Sequence, residues 1–171
     1  MNSEYKENFE SKITSFEDDL YGGGEEAKER TIKFVVFRMA GEWYGVEIIH
    51  VKEILRKFDI TFLPSVPDFI KGIVNMRGNI LSVTDLKVLF NLPKTEKTEK
   101  SRLVVVEQKS LETALFVDEI TEVTEVPVSN IDPPLVTISR ERAEYILGEF
   151  KIDSKLVAIL NVEKIFMIEI K

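Results

Sequence analysis

The amino-acid sequence predicts a mainly β protein built from two similar halves and preceded by an acidic extension. From Lys33 onward, short runs of β-branched and aromatic residues alternate with turn residues, as in chains of short strands. The apolar pattern of these runs recurs once along the chain. Residues 1–32 differ in character, because they contain nine acidic and four basic residues, whereas the other residues contribute only −2 to the total charge of −7.

The extension contains one apolar stripe. Its four members are spaced by four, three and four positions, which places them on one face of a helix: Phe9, Ile13, Phe16 and Leu20. The glycines at positions 22–24 would end such a helix, since glycine readily adopts the left-handed conformation found past a C-terminus. We therefore expect residues 1–32 to be a separate extension, either helical or disordered.

The first elements of the body read as a hairpin followed by a helix. The run "FVVFRMA" at 34–40 predicts a strand, Gly41 and Glu42 a turn, and "WYGVEI" at 43–48 the returning strand. Apolar residues then fall at positions i, i+3, i+4 and i+7, a pattern typical of a short amphipathic helix: Val51, Ile54, Leu55 and Phe58.

A second hairpin and a second helix complete the first half. "GIVNM" at 72–76 and "NILSV" at 79–83 predict two strands joined at Arg77 and Gly78. Asp85 precedes "LKVLF" at 86–90, where its carboxylate can accept the free amides of a first helical turn. Residues 93–100, "PKTEKTEK", lack apolar side chains and predict a charged linker.

The pattern then starts again. A shift of 69 positions places 34–37 on 103–106, and a shift of 76 places 69–90 on 145–166 without a gap. We interpret this as a duplication, with a first half at 33–92, the linker at 93–100 and a second half at 101–171. Few residues are identical, so a chance match of two β-rich stretches stays open at this point.

The duplication makes Arg77 distinctive. At positions with a structural role the two halves carry similar residues: Gly72 falls on Gly148, and Asp85, the predicted helix cap, falls on Asn161, which can also cap a helix. Arg77 instead falls on Asp153, which reverses the charge. A fold that required a cation at this bend would carry one in both halves, so the repeat indicates a role specific to the first half.

Composition excludes several chemistries. The chain has no cysteine and one histidine, His50, which rules out thiolate nucleophiles, Cys/His dyads and His-rich metal clusters. No Gly-x-Ser-x-Gly elbow is present. Acidic runs such as Asp118-Glu119 are adjacent in sequence and point apart on regular structure, so we interpret them as solvated. We expect no catalytic site, no cofactor and no metal.

Composition also narrows the partners and the compartment. A net charge of −7 disfavours nucleic acid as a ligand, because phosphate contacts by Lys and Arg dominate that affinity. No apolar run approaches the roughly 18 residues of a membrane span, and the N-terminus is too polar for a signal peptide. We expect a cytoplasmic protein without direct membrane insertion.

Glu53 and Arg77 are the remaining candidates for a site. Glu53 lies next to the apolar stripe, where a charge usually has a partner. In one interpretation the two residues form an exposed pair worth about 0–1 kcal/mol. In the other, a partly buried pair holds the guanidinium at the rim of an apolar groove, and losing one partner would cost about 3–5 kcal/mol. Residue patterns alone leave both open.

Several ordered motifs resemble the CheW family of chemotaxis coupling proteins and the related regulatory domain of the chemotaxis histidine kinase. "YGVEIIHVKEI" at 44–54 and "LPSVPDFIKGIVNMRGNILSVTDL" at 63–86 are similar to its first-half motifs. "FVDEITEV" at 116–123 and "ILGEFKIDSKLVAILNVEKIF" at 146–166 are similar to its second-half motifs. The resemblance covers the chain from about Phe34 to Phe166. Lys87 departs from the Arg that is common after the Asp-Leu pair.

The resemblance implies two five-stranded SH3-like β-barrels with short helices. It also implies a non-enzymatic scaffold that couples chemoreceptors to the chemotaxis histidine kinase in bacterial two-component signalling. The implied partners are the cytoplasmic tip of a chemoreceptor and the kinase regulatory domain; whether homologous domains join into rings stays open. By motif, the implied receptor-binding residues are Val51, Glu53, Ile54, Gly72, Asn75, Met76, Arg77 and Gly78.

Two alternatives remain at this point. The chain could couple a signalling array that does not serve chemotaxis, which stays within the scaffold class. It could instead be a small β-barrel ligand-binding protein or enzyme, for which a deep pocket with convergent carboxylates would be the sign.

Overall fold

The computed structural model describes residues 29–135 and 138–169, so the stripe and glycines of the extension lie outside the described residues. Within these ranges the chain is mainly β, as predicted. The strands are β1 (Thr31–Met39), β2 (Glu42–Glu47), β3 (Val51–Leu55), β4 (Ile70–Met76), β5 (Asn79–Thr84), β6 (Arg102–Gln108), β7 (Leu111–Val117), β8 (Glu119–Pro127), β9 (Ile146–Ile152) and β10 (Lys155–Leu160). The helices are α1 (Leu86–Leu89), α2 (Arg140–Ala143) and α3 (Val162–Glu169), with 3₁₀ turns at Ile48–His50 and Val128–Asn130.

The strands form two five-stranded sheets of identical plan. One sheet has the order β8-β1-β2-β10-β9 and the other β3-β6-β7-β5-β4. The two sequence shifts equate β1–β5 with β6–β10, and under that equivalence both sheets read third, first, second, fifth, fourth. The parallel pairs also match, since Ile159 pairs with Gly45 in one sheet and Val83 with Ala114 in the other. The structure therefore supports the internal repeat.

The two sheets are not the two sequence halves. Each sheet takes its first two repeat strands from one half and the other three from the other half, so 33–92 and 101–171 are interwoven. Three apolar clusters reflect this arrangement. One packs inside the sheet that contains β3–β7, and one packs inside the other sheet. The third, which we call the shared cluster, lies between the two sheets and contains residues of both halves, such as Phe37 and Leu115. Because the halves are interwoven, neither half contains all five strands of a sheet.

The predicted helix at 51–58 is wrong. Val51–Leu55 is strand β3, an edge strand paired with β6, and only Ile48–His50 before it is helical. A β-bulge between Val51 and Glu53 adds one residue to the strand. The bulge lets Val51 pack on the shared cluster and Leu55 on the barrel interior while the apolar spacing imitates a helix.

Both predicted helix caps are confirmed. The Asp85 carboxylate accepts a hydrogen bond from the Lys87 amide at 3.1 Å. At the equivalent position the Asn161 side chain accepts one from the Lys164 amide at 3.3 Å. Each cap satisfies an amide that has no partner within the helix.

The repeated glycines allow a close backbone crossing. At Gly72 a Cβ would lie 2.2 Å from the carbonyl oxygen of Thr61. Residue Thr61 forms two backbone hydrogen bonds with Ile73, one through its amide and one through its carbonyl. At Gly148 a Cβ would lie 2.7 Å from the carbonyl oxygen of Asp132, which bridges to Glu149 in the same way. Each barrel therefore needs a glycine where a connecting segment crosses its fourth strand.

We expect Gly72→Ala to destabilise the protein by about 1–3 kcal/mol more than Gly78→Ala, as measured by urea unfolding. Both positions have a positive φ, +151° at Gly72 and +83° at Gly78, so both substitutions strain the backbone. Only at Gly72 does the added methyl meet another backbone, whereas nothing lies within 4 Å of it at Gly78. Equal losses from the two variants would contradict this account.

A buried ion cluster attaches the linker to the body. The Lys87 side chain is fully buried, with its Nζ 3.2 Å from Asp85 and 3.3 Å from Asp118. The Asp118 carboxylate also accepts a hydrogen bond from the Ala40 amide at 2.7 Å and one from the Thr95 hydroxyl at 2.5 Å. Asp118 joins β7 of one sheet to β8 of the other, so the cluster ties both sheets, helix α1 and the linker together.

The cluster predicts a pH dependence of stability. Burial raises the pKa of Asp118, but hydrogen bonds from Thr95 and Ala40 and the charge of Lys87 outweigh it, so the pKa lies below its ordinary value of 3.8. The ionised carboxylate thus contributes stability above the unfolded-state pKa, and this contribution is lost as the pH falls through the lower folded-state value. Urea unfolding from about pH 6 to about pH 2.5 should show the stability gap between wild type and Asp118→Asn narrowing. A constant gap would contradict it.

Candidate protein-binding site

The structure pairs Glu53 with Arg77. One Nη of Arg77 lies 3.0 Å from Oε1 of Glu53. Glu53 is on β3 and Arg77 follows β4, and these are the two edge strands of the same sheet, so the pair links its opposite edges. The predicted partnership is therefore present.

Arg77 is largely exposed and Glu53 keeps contact with solvent, which decides between the two interpretations of the pair's energy. The Arg77 side chain is 79% exposed and that of Glu53 is 26% exposed. A pair this open to water contributes about 0–1 kcal/mol to stability. The interpretation in which losing one partner costs about 3–5 kcal/mol is wrong, because neither charge would be left without solvent.

Arg77 occupies the tip of a tight hairpin turn. Arg77 has a φ of +53° and Gly78 of +83°, and the Asn75 side chain accepts a hydrogen bond from the Gly78 amide at 3.0 Å. Asp153 has almost the same φ, +54°, at the tip of the equivalent hairpin. The turn therefore forms with either charge, which supports a role for the Arg77 cation outside folding.

Two exposed isoleucines lie near the pair along the chain. Ile54, next to Glu53, is 36% exposed, and Ile80, three residues after Arg77, is 67% exposed. The equivalent positions in the second half are exposed too, namely Val123 and Leu156. The apolar surface is thus repeated, and the charged group at the hairpin tip is what differs.

The other predicted site residues divide by burial. Asn75 and Gly78 are exposed and build the turn, whereas Val51 is half-buried against the shared cluster. Met76 and Gly72 are buried, Met76 inside the barrel and Gly72 beneath the crossing segment. Any effect of Met76 or Gly72 on binding must act through the shape of the hairpin rather than through contact.

Ile80 is a candidate site residue that the sequence motifs do not identify. Leu81 and Val83 of β5 point into the barrel, so Ile80 points outward and is 67% exposed. The alternation within "NILSV" carries this signal, but Ile80 falls on apolar Leu156 in the second half, so a comparison of the halves does not distinguish it. Ile80 adds an exposed apolar side chain three residues after Arg77.

Among residues 29–135 and 138–169, no three His, Asp or Glu side chains are grouped so that they could hold a metal ion. An open cavity of about 600 Å³ adjoins the linker, lined by Arg38, Thr95, Glu96, Thr98, Glu99, Lys100 and Asp118. The Asp118 oxygens there are taken up by Lys87, Ala40 and Thr95. No helix in the described part of the chain is both long and apolar enough to cross a membrane.

Comparison with known proteins places this geometry in a family. The model of the CheW-like domain matches residues 33–169, which is most of the chain. The chain belongs to the CheW-like domain family. A crystal structure described as scaffolding protein TtCheW from Thermoanaerobacter tengcongensis is 34% identical, with a TM-score of 0.72, and the match covers 82% of this chain and 90% of that one.

Relatives agree with the structural match over most of their length. The chemotaxis protein CheW of Helicobacter pylori is 28% identical over 96% of this chain and 97% of its own. The chemotaxis protein CheW of Bacillus subtilis is 29% identical over 75% of this chain and 83% of its own. CheW-like domains are non-enzymatic scaffolds, and the prediction that this chain is a scaffold and not an enzyme is confirmed at that level.

Proposed function

We propose that this CheW-like chain couples the cytoplasmic tip of a chemoreceptor to the regulatory domain of a chemotaxis histidine kinase, acting in the cytoplasm. The observation that supports the receptor contact is the exposed Arg77, paired with Glu53, together with the exposed Ile54 and Ile80 on strands of the same sheet. Interfaces commonly combine aliphatic contacts with an arginine that supplies much of the binding energy.

The arrangement suits a helical partner. Glu53 accepts one hydrogen bond from the guanidinium and limits its orientation, while other N–H groups of Arg77 stay exposed to a partner. Ile54 and Ile80 would bury against an apolar helix face, and Arg77 would meet a carbonyl or carboxylate beside that face. Val51, Gly72, Asn75, Met76 and Gly78 shape the surface on which these groups stand.

Co-purification tests the proposal directly. The full chain is mixed with a chemotaxis kinase regulatory domain, a soluble receptor tip, or both, and complexes are separated by size. We expect binary complexes with each partner and a ternary complex with both. Binding of neither partner at concentrations up to about 100 μM, or mutually exclusive binding of the two, would overturn the coupling role.

A further inference from the structure

The β3 edge surface is apolar, basic and uncovered by other described residues. We define it as Ile48, Ile49, Ile54, Arg56 and Lys57. Ile48 is 40% exposed and Ile49 52% exposed, and they lie on the 3₁₀ turn that leads into β3. Three exposed isoleucines in seven residues beside an edge strand are a feature of interaction surfaces.

The charges of this surface are positive. Glu53 is paired with Arg77, and Lys52 is paired with Glu107 and Glu112. Arg56 and Lys57 are exposed and form no ion pair with another described residue. The surface therefore fits an apolar ligand that carries negative charge.

The chain itself contains such a ligand. Residues 1–28 include eight acidic and three basic residues, and the apolar stripe of Phe9, Ile13, Phe16 and Leu20 runs through them. They enter the body next to the surface: β1 begins at Thr31, and Phe34 of β1 pairs with Glu47, the residue before the 3₁₀ turn. The Arg30 carbonyl is fixed by the Val128 amide at 2.8 Å, which anchors the point of entry.

The dimensions agree. A helix from Phe9 to Leu20 would be about 17 Å long. The five steps from Ile49 to Ile54 span at most about 17 Å. The residues between Leu20 and Glu29 can extend to about 30 Å, which is enough to turn the helix back onto the body.

We propose that residues 1–28 dock in cis on the β3 edge surface, with their apolar stripe against the three isoleucines and their carboxylates near Arg56 and Lys57. Ile54 belongs to this surface and also to the receptor-binding surface proposed above, so the docked extension competes with the receptor. This competition rests on the proposed function, whereas the docking does not.

Paramagnetic NMR tests the docking without any receptor. Because the chain has no cysteine, Ser11→Cys on the face opposite the stripe accepts a single spin label. We expect the label to broaden the amide signals of residues 48–57. The broadening should disappear in Ile13→Ser/Phe16→Ser and weaken in Arg56→Glu/Lys57→Glu. It should persist in the matched control Thr14→Ala/Ser15→Ala, which changes two polar positions outside the stripe.

The same samples separate the possible occupants. Spin-labelled protein at natural isotope abundance is mixed with ¹⁵N-labelled protein that carries no spin label. In this mixture, broadening of the ¹⁵N-detected signals reports contact between two copies of the chain. Broadening of residues 48–57 in this mixture would assign the surface to a second copy and overturn docking in cis. Absence of broadening at residues 48–57 in the singly labelled chain, or its survival in Ile13→Ser/Phe16→Ser, would also overturn it.

Receptor titration then tests the competition. Ile13→Ser/Phe16→Ser should bind a soluble receptor tip about twofold more tightly if the extension is docked half of the time, and about tenfold if it is docked nine-tenths of the time. Unchanged affinity with confirmed docking would overturn the competition. No receptor binding by either protein would instead count against the proposed function and leave the NMR result standing.

Discussion

Replacing Lys87 with alanine is expected to lower the free energy of unfolding by about 3–5 kcal/mol, because Asp85 and Asp118 would lose a buried cation. The side chain is fully buried, so truncation also leaves a cavity in contact with Phe116, whose ring centre lies 4.5 Å from Nζ. Urea unfolding of the full chain measures the loss.

Lys71 provides a matched control for this variant. Its Nζ lies at the same 4.5 Å from the Phe116 ring but forms no ion pair with a described residue. Lys71→Ala should cost no more than about 1 kcal/mol, the value of a partly exposed cation–π contact. Lys87→Arg keeps the cation and should retain more stability than Lys87→Ala. Equal losses from Lys87→Ala and Lys71→Ala would show that the ion cluster contributes nothing.

The cluster could not be predicted from sequence, and the reason is general. Lysine is almost never fully buried without a partner, so "DLK" reads as a cap followed by an exposed residue. One of its two carboxylate partners, Asp118, lies 31 positions away, in a run of acidic residues that the sequence predicts to be solvated. Only the three-dimensional fold brings the two charges together.

Short sequence patterns correctly predicted the features that depend on neighbouring residues, namely helix caps and hairpins. The caps at Asp85 and Asn161 were correct because capping depends on adjacent residues. The strands on either side of Arg77 were correct because two runs of β-branched residues flanked a turn. The helix at 51–58 failed because a bulge in β3 gave a strand the spacing of a helix; β-branched Val51 and Ile54 were the overlooked sign.

The interweaving of the halves was beyond the sequence for a different reason. Equivalent strands of the two halves have similar apolar patterns, so the sequence of β3 is compatible with pairing either to β1 of its own half or to β6 of the other half. Its actual neighbour is β6, the first strand of the other half. The repeat therefore revealed the number and order of the elements but not which copies pair.

The sequence did isolate the candidate site, by comparing one half with the other. Arg77 and Asp153 share a turn conformation and differ in charge, so the cation is the part that folding does not explain. The structure adds that the cation is exposed and oriented by Glu53. What the sequence could not give was exposure, which separates Arg77 and Ile80 from the buried Met76.

Arg77→Ala is expected to weaken binding of a receptor tip about tenfold or more, because an interface arginine often contributes over 1.4 kcal/mol. Stability should change little, since the pair with Glu53 is exposed. Asp153→Ala is the matched control. It places alanine at a φ of +54°, against +53° for Arg77→Ala, so the two variants should incur a similar cost in backbone strain. Calorimetric titration with the receptor tip measures the affinity, and binding of the kinase regulatory domain should be retained by Arg77→Ala.

A charge swap separates recognition from mere pairing. Glu53→Arg/Arg77→Glu preserves an ion pair between the two edge strands but moves the cation from the hairpin tip to β3. If the pair only braces the sheet, the double variant should bind the receptor tip as wild type does. If Arg77 meets a polar group of the partner, the swap should bind as poorly as Arg77→Ala or worse, because a carboxylate now faces that group. We expect the second result, since Asp153 already shows that an acidic residue folds at this tip and leaves recognition as the reason for a cation at Arg77.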